Sequence, residues 1–200
     1  MTQSRPSPNL IDESPPDASA LDSAISGFDE NPVFSAHALQ EADRVAIFID
    51  GANLFYAAAH LRIEVDYVRL LQSLTNGRRL LRAYYYTGVD PSNEKQQGFL
   101  LWMRRHGYRV VAKDLVQFPD GSRKANLLVE MAVDMLRLAE YCDTLILLSG
   151  DGELAYALNN LSYRGVQIEV VSLRIMTSER LIDIADRYRD LTHLQPSIQR

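Results

Sequence analysis

The stretch Arg44-Val-Ala-Ile-Phe-Ile-Asp-Gly-Ala-Asn53 decides the fold. Val45 to Ile49 has no polar residue, so neither face of a strand built from it is fit for water. That suits a strand covered by helices on both sides. Asp50-Gly51 closes the strand, and a helix is expected from Asn53 to about Leu61. The design recurs at Thr144-Leu-Ile-Leu-Leu-Ser-Gly150, followed by Asp151-Gly-Glu153. Between and beyond these runs, helices are predicted at Tyr67 to Leu74, Asn93 to His106, Leu127 to Tyr141, Leu154 to Arg164 and Ser178 to Asp186. Strands are predicted at Leu80 to Gly88, ending near Thr87, at Tyr108 to Phe118 and at Val166 to Leu173. A turn falls at Pro119-Asp120-Gly121 and a short edge strand after Asp186. Strands alternating with helices mean βαβ units. The expectation is a three-layer, Rossmann-like α/β fold with a mostly parallel central sheet of about five to six strands.

Upstream of Arg44 the composition changes. Residues 1–42 are rich in Ser, Pro, Asp and Ala and read as a disordered acidic tail, with a short helix around Phe34 to Ala42 as an option. Residues 1–43 hold eight acids and one base, net −7; residues 44–200 hold 20 bases against 18 acids, net +2, which together give the −5 of the chain. The expected domain, residues 43–195, is therefore slightly basic. The tail reads as a solubilising leader, with a protein-binding arm as the alternative. The start, MTQSRPSPNL, has no apolar core of a secretory signal, and no run has the length to span a bilayer. One cysteine, Cys142, excludes an internal disulfide or a multi-cysteine zinc site and reads as a small buried hydrophobe. A cytoplasmic protein that does not bind membranes is expected, with homo-oligomerisation left open.

In an open parallel sheet, ligands bind beyond the carboxyl ends of the strands, where strand order reverses. Two strands end on small residues carrying acids: one on Asp50-Gly51, the other on Gly150-Asp151-Gly152-Glu153. The other strands are read as lacking such an ending. If the two are neighbours, Asp50, Asp151 and Glu153 converge. Clustered carboxylates repel unless a cation is present, and Mg²⁺ or Mn²⁺ prefers oxygen ligands shared with phosphates. The plainer reading is that Asp50 and Asp151 cap the helices that follow. There is no GxGxxG, no GxxxxGK[ST] and no GxSxG. His37, His60, His106 and His193 lack ligand spacing and read as structural or surface residues.

Three segments in order, Val45 to Asn53, Lys124-Ala-Asn126 running into Glu130 to Met135, and Ser149 to Glu153, resemble the LabA-like NYN domain family, relatives of PIN-domain nucleases. Ala185-Asp186-Arg187 also fits. The resemblance spans about residues 44 to 192. It implies a PIN-like sheet with the first and fourth strands adjacent, and a metal-dependent endoribonuclease cleft. Some members of this family act instead as regulators of gene expression, one of them in circadian output. Carried over by residue, Asp50 and Asp151 are metal-binding acids, Glu153 stands where the family has Asp, and Asn53 is a polar partner. Leu128 stands where the family's Lys-x-Asn-x-Asp-Val pattern has its Asp. That departure favours a catalytically weakened RNA- or protein-binding regulator as the alternative, and leaves Glu130 or Asp134 as possible additional acids. A TOPRIM-like acid set is a third reading; it lacks a glutamate after the first strand. Arg123 and Lys124 are the candidate RNA-phosphate contacts. Arg78, Arg79 and Arg82, or Arg104, Arg105, Arg109 and Lys113, would extend them. Tyr84, Tyr85 and Tyr86 read as core, with base stacking as the alternative.

Overall fold

Val45, Ala46, Ile47, Phe48 and Ile49 are wholly buried in the computed structural model, which describes residues 43–200. The expectations for the tail, its helix near Phe34 and His37 lie outside the described residues. Strand β1 (Arg44–Asp50) is central because neither of its faces tolerates water. Outward on one side come β2 (Arg79–Val89) and β3 (Tyr108–Asp114); on the other come β6 (Thr144–Leu148), β7 (Gln167–Ser172) and β8 (Arg187–Asp190). The order is β3-β2-β1-β6-β7-β8 and every pair is parallel. Order therefore reverses between β1 and β6, as the Rossmann-like and PIN-like expectation requires.

Two apolar layers sandwich the sheet. On one face Phe48, Tyr84 and Tyr86 pack against Met131 and Met135 of α4 (Leu128–Leu138) and Leu158 and Leu161 of α5 (Ala155–Ser162). On the other, Ile47, Ile49 and Tyr85 meet Leu54 of α1 (Gly51–Leu61), Leu70 and Leu74 of α2 (Tyr67–Thr75), and Leu100 and Met103 of α3 (Glu94–Arg105). Tyr84, Tyr85 and Tyr86 are all buried, so the core reading holds for them and the stacking-platform alternative does not. Cys142 is buried, and burial pushes its thiol up to about 11. A short α6 (Glu179–Ile184) leads into β8.

Three differences from the sequence reading matter. The predicted strand from Tyr108 to Phe118 stops at Asp114. Leu115 breaks it, and Val116–Gln117 (β4) pairs antiparallel with Arg123–Lys124 (β5) around the Asp120 turn. The helix predicted from Leu154 begins as a tight turn at Gly152–Leu154. An eighth-strand exit into α7 (Leu191–Ile198) is not anticipated by the sequence reading, because Pro196 argues against a helix. Ile198 is nonetheless wholly buried, and its carbonyl accepts from Asp66 N at 2.8 Å, so the last helix is packed onto α2. Among the described residues no helix is long and apolar enough to cross a membrane.

Candidate active site

Asp50 ends β1 and caps α1. Its Oδ1 accepts from the backbone amides of Ala52 and Asn53, both at 3.1 Å. Its Oδ2 accepts from Ser149 Oγ at 3.1 Å, just past the end of the neighbouring β6. Ser149 Oγ in turn accepts from the amide of Asp151 at 3.2 Å, and Asp151 Oδ1 caps the next turn through Glu153 N at 2.9 Å. One hydroxyl thus links the ends of two adjacent strands. Burial holds the Asp50 carboxyl above the usual carboxylate range; the nearby charge of Asp151 adds a smaller push, against the pull of the Asn53, Ser149 and Ala52 hydrogen bonds.

The glycines beside these acids are fixed by protein packing. A Cβ on Gly150 would lie 2.0 Å from the carbonyl oxygen of Met176, and one on Gly51 would lie 2.7 Å from the carbonyl oxygen of Tyr86. Their close approach is to neighbouring backbone, which presses the strand ends together and sets where Asp50 and Asp151 stand.

Asp50 and Asp151 both line a cleft of about 610 Å³. It is also lined by Val116 and Lys124 of the β4–β5 hairpin, by Asn126, by Leu128 at the start of α4, and by Tyr86. Lys113 and Asp114, the last residues of β3, complete the rim. Capping and cleft lining therefore coexist: each carboxylate gives one oxygen to a helix start and still borders the cavity.

The remaining candidates divide. Lys124 lines the cleft, whereas Arg123 is paired with Asp90, which follows β2; that guanidinium holds the Asp90 carboxyl well below the usual range. Glu153 is exposed and is not among the lining residues. Asn53 leaves the cleft for the other side of the switch, where its Oδ1 accepts from Ser172 Oγ at 3.4 Å. Asp134 accepts from the Tyr86 hydroxyl at 3.0 Å. Glu130 is paired with Lys113 at 2.7 Å through Oε1, while its Oε2 is buried without a hydrogen-bond partner. Leu128 packs against the core edge and forms cleft wall where the family pattern has an acid. Among the described residues no group of three or more His, Cys, Asp or Glu is gathered closely enough to hold a metal by itself. The convergence expected of Asp50, Asp151 and Glu153 is thus realised in the cleft by the first two only.

Asp114 is the acid that sequence reading missed. The search for strands that end on small residues carrying acids passed over β3, which ends on Asp114, and Asp114 lines the cleft. Reading Tyr108 to Phe118 as one strand hid it. The signal was the failure of apolar patterning after Val111, where Lys113 and Asp114 follow in succession.

A model of the NYN domain family matches residues 44–192. The chain belongs to the NYN domain family. Within that family it is LabA-like: it is 37% identical over 166 residues to the low amplitude and bright protein LabA of Synechococcus elongatus, which spans 78% of this chain and 88% of LabA. A crystal structure of a protein of unknown function from Vibrio parahaemolyticus superposes with a TM-score of 0.67 at 27% identity, covering 75% of this chain and 93% of that one.

Proposed function

We propose that the cleft binds an RNA phosphate and that this NYN domain is a metal-dependent endoribonuclease. The observation that carries the proposal is that Asp50 and Asp151, linked through Ser149, line one cavity that Lys124 also lines. Two carboxylates bordering one cavity suit Mg²⁺ or Mn²⁺, which is commonly held by one or two protein carboxylates, several waters and substrate phosphate oxygens. Asp50 and Asp151 would hold the ion, with Asp114 at the rim as a further acid. When bound, the ion supplies Lewis-acid polarisation of the phosphoryl group. The chain's own residues do the rest. Lys124, which lines the same cavity, would serve as a phosphate contact, and Lys113 is held by Glu130 and by the Asn126 carbonyl. Ser149 fixes the Asp50 carboxylate, so little reorganisation is needed when a ligand arrives.

A second reading, an RNA- or protein-binding regulator with weak or no catalysis, is favoured by one specific feature: Leu128 in the cleft wall. The test is cleavage of single-stranded RNA with Mn²⁺ or Mg²⁺, repeated with EDTA and with Asp151→Asn. Cleavage that EDTA and the substitution both abolish supports the nuclease. RNA binding without cleavage supports the regulator.

A further inference from the structure

A second concavity, about 490 Å³, lies at the outer edge of the sheet. Arg82 of β2, Arg104 of α3 and Arg109 of β3 line it together with Gly107, Tyr108 and Val110. All three arginines are exposed, and none is in an ion pair among the described residues. Elsewhere on the domain the arginines with carboxylate partners include Arg44, Arg78, Arg123, Arg174 and Arg189. Three guanidiniums sharing one groove repel each other. A charged side chain on an edge strand blocks unwanted strand pairing, which accounts for Arg109 alone. It does not account for three charges converging from three elements.

The groove straddles the sheet edge, with Arg104 on the α3 side and Arg82 and Arg109 on the face that carries the cleft. Arg82 pairs in register with Ala46, and Tyr84 with Phe48, so Arg82, Tyr84 and Tyr86 point to the α4 side. On the edge strand the same alternation puts Arg109, Val111 and Lys113 on that side, and Arg109 Cζ sits 5.7 Å from the centre of the Tyr84 ring. The stacking steadies the guanidinium. Arg109 lines the groove, Lys113 lines the cleft, and four residues of strand separate them by roughly 13 Å. That face therefore carries Arg82 and Arg109 at the groove and, farther along β3, Lys113 paired with Glu130 at the cleft.

We propose that the Arg82–Arg104–Arg109 groove is a second phosphate-binding station, engaging the backbone of the same single-stranded RNA several nucleotides away from the cleft. The inference rests on the reading of the cleft as an RNA site and adds to it a path and a polarity of charge. Its recognition is electrostatic and independent of base sequence.

The test is fluorescence anisotropy with a labelled single-stranded RNA of about 12 nucleotides, in EDTA and across a salt series. The parent is compared with R82Q/R104Q/R109Q and with R82K/R104K/R109K, each checked by circular dichroism for an unchanged fold. Each lost single-strand phosphate contact lowers the slope of log K against log salt by about 0.7, so the glutamine variant should lose about 2 in slope and bind roughly tenfold more weakly. The lysine variant should keep the parent's slope. If the parent binds and the glutamine variant matches it in affinity and slope, the groove inference fails while the cleft reading stands. If the lysine variant loses as much as the glutamine variant, charge is not the cause and the inference fails. If the parent binds RNA with Mn²⁺ but not in EDTA, the groove inference fails while the cleft reading stands; if it binds none under either condition, both readings fall together.

Discussion

Ser149 Oγ lies 3.1 Å from Asp50 Oδ2, joining the end of β6 to the end of β1 across the point where strand order reverses. The same hydroxyl receives the amide of Asp151, so the two acids are positioned by one small polar side chain that is itself wholly buried. The Asp50 carboxylate is consequently fixed but costly to ionise, and its behaviour with pH follows.

Burial is the main reason that Asp50 holds its proton above the usual carboxylate range. The native state keeps that proton at pH values where the unfolded chain has released it. Without metal, stability should therefore fall as pH rises through the interval just above the ordinary aspartate range, with the penalty complete once the native carboxyl ionises. Asp50→Asn removes the ionisation and keeps an oxygen acceptor for the Ala52 and Asn53 amides. Its thermal midpoint at pH 7 should equal or exceed the parent's, and its pH profile between 4 and 7 should be flatter. A midpoint well below the parent's at pH 7 would count against this account.

Gly150→Ala should be among the most damaging small substitutions, because the new methyl would sit 2.0 Å from the Met176 carbonyl oxygen. Overpacking of this kind costs about 1–3 kcal/mol or more, since backbone must shift. Urea unfolding of the purified variant measures it. A loss below about 0.5 kcal/mol, within the range of ordinary surface changes, would show that the loop after β7 yields easily.

Tyr86→Phe tests whether Asp134 is structural. The Tyr86 hydroxyl is buried and donates to Asp134 Oδ2 at 3.0 Å, so its loss should cost about 1.5–3 kcal/mol, as for hydrogen bonds to charged groups. Mn²⁺ affinity should not change, because Asp134 is not a cleft residue. A large drop in Mn²⁺ affinity would move Asp134 into the metal site.

The sheet was legible because its central strands are apolar on both faces: Val45–Ile49 and Thr144–Leu148 have one plausible place in a soluble α/β domain, the middle. The acids at their ends followed from that. What the sequence concealed depended on distant partners. Asp114 was hidden because strand β3 breaks at Leu115 to let the β4–β5 hairpin fold over the cleft, an event set by pairing of Val116 with Lys124. Helix α7 was hidden because the burial of Leu191 and Ile198 outweighs the local cost of Pro196. Glu153 looked equivalent to Asp151 on paper. Two residues further along a tight turn, it lies outside the cavity. Arg123 and Lys124 are neighbours in sequence, but only Lys124 is left to the cleft once Asp90 engages Arg123.

Leu128→Asp asks what the missing family acid is worth. Position 128 is the first residue of α4 and borders the cleft, and its amide already bonds to Asn126 Oδ1 at 2.9 Å. A carboxylate in the first turn of a helix gains about 0.3–1 kcal/mol from the helix dipole, which offsets part of the loss of apolar contact. The variant should fold, bind Mn²⁺ more tightly than the parent and cleave RNA faster than the parent. Weaker Mn²⁺ binding would mean that Leu128 is not placed where an acid can serve the site.

The central claim is that Asp50 and Asp151 share one divalent cation, and Mn²⁺ titration by isothermal calorimetry addresses it without needing an RNA substrate. The parent should bind Mn²⁺ at a single site, and its thermal midpoint should rise with Mn²⁺ concentration by mass action. Asp50→Asn and Asp151→Asn should each abolish that site, while Glu153→Gln should leave it in place. Binding that survives both aspartate substitutions, or that only Glu153→Gln removes, would contradict the account.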